Sequence, residues 1–97
     1  MIIRVISYHA RPDTDPEGWL QEVASEVRGA SGMRLATFMQ SRSDPSLWGA
    51  IMRFGSIEDL EAYKATGPYK SLVESLRESW LDESKPVTDM VYDVLDV

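Results

Sequence analysis

One imidazole, four phenols and no thiol bound the chemistry open to this chain. His9 is the only histidine, and its near-neutral pKa suits it to take a proton from a substrate phenol. It stands where a β-branched run meets the loop RPDTDPEG, a place that equally suits a solvated strand-end residue. Tyr69 follows Gly67-Pro68 directly. Its hydroxyl can donate a hydrogen bond to a bound carbonyl or phenolate, or it can find a backbone partner in the core. Arg34 and Arg53 fall inside apolar, strand-like runs, where a guanidinium needs a carboxylate at a sheet edge or dimer rim, or else a ligand anion. Trp48, Tyr63, Trp80 and Tyr92 can line a slot for a planar molecule, and they can also simply fill a small core. Five methionines, among them Met33, Met39, Met52 and Met90, suit an adaptable pocket wall or a packed interface.

Other chemistries find no support. Without cysteine there is no disulfide and no thiolate nucleophile, which fits a reducing cytoplasm. With one histidine, metal donors reduce to carboxylates, and Asp13-x-Asp15 is an isolated acidic pair, so neither a metal site nor a cofactor is expected. No Gly-rich phosphate loop or Ser/His/Asp signature occurs. Sixteen acidic against ten basic residues give a net charge of -6 with no basic stripe, which argues against nucleic acid and against an anionic membrane surface. No apolar run approaches the ~20 residues of a spanning helix, and the N-terminal MIIRVISYHA lacks the form of a signal peptide.

The elements that must position these residues are short. The chain has 97 residues, 43% hydrophobic and 27% charged, the balance of one globular domain over residues 1–97. Ile2 to His9 reads as a strand. From Trp19, the residues Leu20, Val23, Ala24 and Val27 recur at helical spacing up to Gly29 and Gly32. Met33 to Gln40 and LWGAIMRF read as an antiparallel hairpin around SRSDPS. Ser56-Ile57-Glu58-Asp59 has the form of a capping box. The helix it starts is interrupted by KATGPYKSL, where Gly67 tolerates left-handed geometry and Pro68 suits the first position of a new helix. Tyr69, Leu72, Val73, Leu76 and Trp80 then share one inward stripe. Val87 to Val97 closes the chain as a strand, giving the order β-α-β-β-α-α-β. That order predicts an α+β, ferredoxin-like fold with helices on one face of an antiparallel sheet. The strands look apolar on both faces, so a homodimer through the sheet faces is expected.

The run SRSDPSLWGAIMRFGSIEDLEAYKATGPYKSL carries an Asp-Pro hairpin turn, a third strand leading into a Ser-x-x-Asp helix start, and a Pro-aromatic restart of the last helix. In these features the whole chain resembles the antibiotic biosynthesis monooxygenase-like family of dimeric α+β barrels. The resemblance implies cofactor-independent oxygenation of an aromatic or polyketide-type compound in a dry apolar pocket, with His9 as base and Tyr69 and Arg53 positioning oxygen atoms. Members of the family often carry Trp where this chain has Phe54 and His near the position of Tyr69. These departures keep open a non-catalytic, ligand-binding or stress-associated dimeric barrel. Haem-degrading members use that His as iron ligand and an Asn on the first strand, where this chain has Ser7, Tyr8 and His9, so a haem reading needs a tyrosinate or His9 as donor.

Overall fold

Period-two alternation in the first strand decides how the rest of the chain packs. In the computed structural model, which describes residues 1–97, β1 spans Ile2–His9 and buries Ile2, Arg4 and Ile6 while Ile3, Val5 and Ser7 stay partly open. Helix α1 covers Pro16–Arg28 and begins three residues before the expected Trp19. The reason is local: the Asp15 carboxylate accepts from the Gly18 amide at 3.0 Å, and Pro16 occupies the opening turn where it has no amide to lose. Gly29 caps the helix and Gly32, at φ 83°, turns the chain into β2, a conformation costly for any residue with a Cβ.

The hairpin forms as expected, with β2 at Met33–Gln40 and β3 at Leu47–Phe54 in antiparallel register, Ala36 opposite Met52 and Gln40 opposite Trp48. Its turn is held by Asp44, which accepts from the Ser46 amide at 3.1 Å and the Ser46 hydroxyl at 2.7 Å. Ser56 caps α2, Ile57–Lys64, by accepting from the Asp59 amide at 3.2 Å. The Asp59 side chain lies against Gly32 and Gly55. Helix α3, Gly67–Ser79, starts one residue before Pro68. Gly67 is thus helical, not left-handed, and its missing Cβ relieves part of the clash that a following proline normally imposes on a helical residue. Thr66 makes the junction: its hydroxyl donates to the Tyr63 carbonyl at 2.8 Å and accepts from the Tyr69 amide at 3.2 Å.

The last strand, β4, is shorter than expected, Thr88–Asp93. It pairs with β1 from Ser7 opposite Thr88 to Ile2 opposite Asp93, and the Val94 amide still reaches the Met1 carbonyl at 3.0 Å. The sheet order is β2-β3-β1-β4, antiparallel throughout, with α1, α2 and α3 on one face, an α+β ferredoxin-like arrangement. Between helices and sheet lie Ile2, Ile6, Val27, Ala36, Met52, Phe54, Leu60 and Tyr63, with Leu76, Trp80 and Leu81 forming a second cluster. On the other face Leu35, Met39, Met90 and Tyr92 are exposed. No helix is long and apolar enough to cross a membrane.

Candidate functional site

A charge in the middle of an apolar strand has to be answered by its surroundings. Arg4 points under the helices and is only 3% exposed. Its Nε and Nη2 donate to the two carboxylate oxygens of Asp89 at 3.0 and 2.8 Å, a fork that matches guanidinium to carboxylate. Asp89 reaches it from the diagonal position on β4, since Ile6 pairs with Asp89 and Arg4 with Val91. Nη2 also donates to the Tyr69 hydroxyl at 3.0 Å. Burial alone would lower the Arg4 pKa, but the hydrogen bonds to Asp89 and Tyr69, together with the electrostatic attraction of both groups, outweigh it and the pKa is raised, so the guanidinium stays charged. The same hydrogen bond from Arg4 holds the Asp89 carboxyl below its usual range.

Arg4 and Tyr69 form part of the lining of a cavity of about 60 Å³ beneath α1 and α3 whose other walls are almost all apolar, including Ile6, Val23, Leu72 and Leu76. Tyr63 and Tyr69 meet edge to face, their ring centres 5.0 Å apart. Further along β1, Tyr8 enters an aromatic cluster around Trp80, whose ring lies 6.1 Å from Tyr8, 5.9 Å from Trp19 and 6.4 Å from Trp48. Trp19 Nε1 donates to Ser75 Oγ at 2.9 Å, whereas Trp80 Nε1 is buried without a protein partner. Burial pushes the Tyr8 phenol well above its ordinary pKa although the Arg4 charge works the other way, and burial likewise raises Tyr63. Both phenols remain neutral donors at physiological pH. The arrangement is a small, mainly apolar space with one fixed cation at its edge, suited to holding a developing oxyanion.

Of the residues singled out in the sequence, Tyr69, Trp48, Tyr63 and Trp80 line this cavity together. Phe54 does not: it is fully buried against Tyr63, ring centres 5.7 Å apart, and serves as core. His9, Arg53 and Tyr92 fall on the opposite face, so the expected grouping of His9 and Arg53 with Tyr69 does not form. Strand parity is the reason: Arg4, Ile6 and Tyr8 turn inward, which turns His9 outward, and Met52 and Phe54 inward leave Arg53 outward. Arg53 is exposed, opposite Ile3 and Leu35, and Tyr92 also lies opposite Ile3. His9 Nε2 sits 3.9 Å from Asp44 Oδ2 at the hairpin turn. Sequence reasoning missed Arg4, Asp89, Tyr8 and Trp19. A charge between Ile2 and Ile6 on the inward parity is a usable signal for Arg4; Asp89, 85 residues away, offers none.

No protein-family model matches the chain, and no curated protein matches it. Solved structures do. A candidate antibiotic biosynthesis monooxygenase from Deinococcus radiodurans superposes with a TM-score of 0.84 at 13% identity, covering 100% of this chain and 95% of that one. A variant of SnoaB, a cofactor-independent oxygenase from Streptomyces nogalater, gives 0.78 at 12% identity, covering 99% and 94%. Rv0793 from Mycobacterium tuberculosis gives 0.80 at 18% identity, covering 99% and 96%. The likeness is one of fold over the whole length of each chain.

Proposed function

We propose, for a chain with the fold of the antibiotic biosynthesis monooxygenase structures, that the cavity beneath α1 and α3 carries out cofactor-independent oxygenation of an electron-rich aromatic or polyketide-type molecule. The observation that carries this reading is the buried Arg4, fixed by Asp89 and bonded to the Tyr69 hydroxyl at the edge of an otherwise apolar space. A phenolic oxygen placed against Arg4 and Tyr69 is stabilised as the anion, and apolar walls keep water from competing for the same donors. The substrate supplies the electrons. A phenol with a free para C–H reacts with one dioxygen to give the quinone and one water, so one oxygen atom is retained and the other leaves with both hydrogens. Asp89 acts through Arg4 as a positioning residue. His9 and Arg53 reach a ligand only from the open sheet face, where a second copy of the chain would cover them; the reading includes such a homodimer.

A second reading, a binding protein without turnover, draws on the cavity's volume. About 60 Å³ accommodates dioxygen or a few waters, whereas drug-sized ligands occupy pockets of roughly 300 Å³ or more, so α1 and α3 must part to admit a ring. Haem fits poorly as ligand. Of its two suggested donors, His9 lies on the far face, and among the cavity tyrosines the Tyr69 hydroxyl is engaged by Arg4 while burial raises the Tyr8 and Tyr63 phenols.

Oxygen uptake with a panel of phenols that carry a free para C–H tests the proposal. Expected are consumption of dioxygen with quinone formation by the wild type and a loss of about 100-fold in Arg4→Met and Tyr69→Phe. Ligands that raise the melting temperature with no uptake would establish the second reading. Uptake unchanged in both variants would place the chemistry elsewhere.

A further inference from the structure

Two grooves abut the cavity, and they are closed in different ways. One, of about 380 Å³, lies between the C-terminal ends of α1 and α2 and the first turn of α3, and it shares the walls Val27, Tyr63, Tyr69 and Leu72 with the cavity. The other, of about 360 Å³, lies between α1 and the sheet near β2 and shares Leu20, Phe38 and Trp48. On the β2 side Arg28 lies over Phe38, 5.3 Å from the ring centre, and its Nε donates to the Ala36 carbonyl at 3.2 Å, which pins that wall to the sheet backbone. On the other side the partition is Tyr69, half-buried on the opening turn of α3 and held through its hydroxyl by the one hydrogen bond from Arg4.

The larger groove also has a definite charge. Glu26 and Asp59 are among its walls and no cationic side chain is. Gly29 and Thr66 line it where α1 and α2 end, so the carbonyl ends of two helices add partial negative charge, set against the amide end of α3 at Pro68 and Tyr69. Arg34 approaches Gly55 beside Asp59 from outside those walls.

We propose that this groove is the port to the cavity, that Tyr69 is the partition across it, and that Glu26 and Asp59 make it select neutral or cationic solutes over anions. On the reading above, a phenol passes the port protonated and meets a cation, Arg4, only inside the cavity. The port itself stands independently of turnover.

The chain's three tryptophans all line the cavity, which makes them internal reporters. Replacing Trp19 and Trp48 by Phe leaves Trp80, 2% exposed, as the single emitter. In that background, Tyr69→Ala is expected to raise acrylamide quenching of Trp80 severalfold, with the far-UV circular dichroism unchanged, and Phe38→Ala is not. Should Tyr69→Ala fail to fold, Arg4→Met frees the Tyr69 hydroxyl while keeping its ring, and it is expected to raise quenching as well. Glu26→Gln with Asp59→Asn should raise iodide quenching about twofold at low salt and leave acrylamide quenching unchanged. The same charge change at the exposed Glu58 and Glu61 should not. A rise in Phe38→Ala alone, or equal iodide effects from the two charge pairs, overturns the proposal. Neither result bears on oxygen uptake, so this proposal and the oxygenase reading fail separately.

Discussion

Arg4 is the one charged residue buried beneath the helices, and the two members of its ion pair with Asp89 respond differently when altered. Deleting Asp89 strands a buried cation, while replacing Arg4 by an apolar side chain of similar shape removes the need for a counter-ion. The Asp89 carboxylate is 37% exposed, which tempers its contribution, so Asp89→Asn is expected to cost about 1–2 kcal/mol at pH 7 and Arg4→Met about 1 kcal/mol or less, measured by urea unfolding. A greater cost for Arg4→Met would show that the pair stabilises the fold and is more than a functional fixture. Because the folded Asp89 pKa lies below its unfolded value, its contribution is present above about pH 4 and is lost as pH falls through the folded value. Wild type and Asp89→Asn should therefore converge in stability on acidification, and parallel curves would contradict the assignment. At this scale the sequence was only partly legible. Tyr69 announced itself through Gly67-Pro68 and the helical stripe behind it. Arg4 depends on a partner 85 residues away, and no local pattern encodes that pairing.

Elements were far more legible, because capping and periodicity are local physics. The β1, β2, β3 and α2 runs lie where apolar alternation, the Asp-Pro turn and the Ser56 cap place them. What could not be read was parity near a strand end, and a one-residue difference decides whether His9 faces the cavity or the open sheet. The length of β4 was hidden for another reason, since it is set by its pairing with β1 at the other end of the chain and not by its own composition. One hydroxyl joins two helices: Thr66 Oγ1 donates to the end of α2 and accepts from the start of α3. Thr66→Ala is expected to cost about 1 kcal/mol or slightly more, and Thr66→Ser almost nothing, by chemical denaturation. Equal losses in both would assign the effect to the methyl group instead.

Across the whole molecule the open sheet face sets apolar area against a net charge of -6. Leu35 and Met90 are 47% and 53% exposed, so lysine at each should change the stability of a single chain by under about 0.5 kcal/mol. Light scattering of the wild type at micromolar concentration is expected to give the mass of two chains, and Leu35→Lys with Met90→Lys the mass of one. A wild-type mass of one chain removes the homodimer. Strand β4 connects this scale to the first. It lies at the sheet edge, all six of its residues are exposed, and yet it carries the counter-ion of the buried arginine. Edge strands open by local unfolding far more often than the molecule unfolds as a whole. The lifetime of the Arg4–Asp89–Tyr69 network is thus set by how fast β4 frays, and anything that clamps the strand, a second copy included, becomes a kinetic governor of the site, legible as slowed amide exchange at Met90 and Tyr92, the β4 amides that face β1.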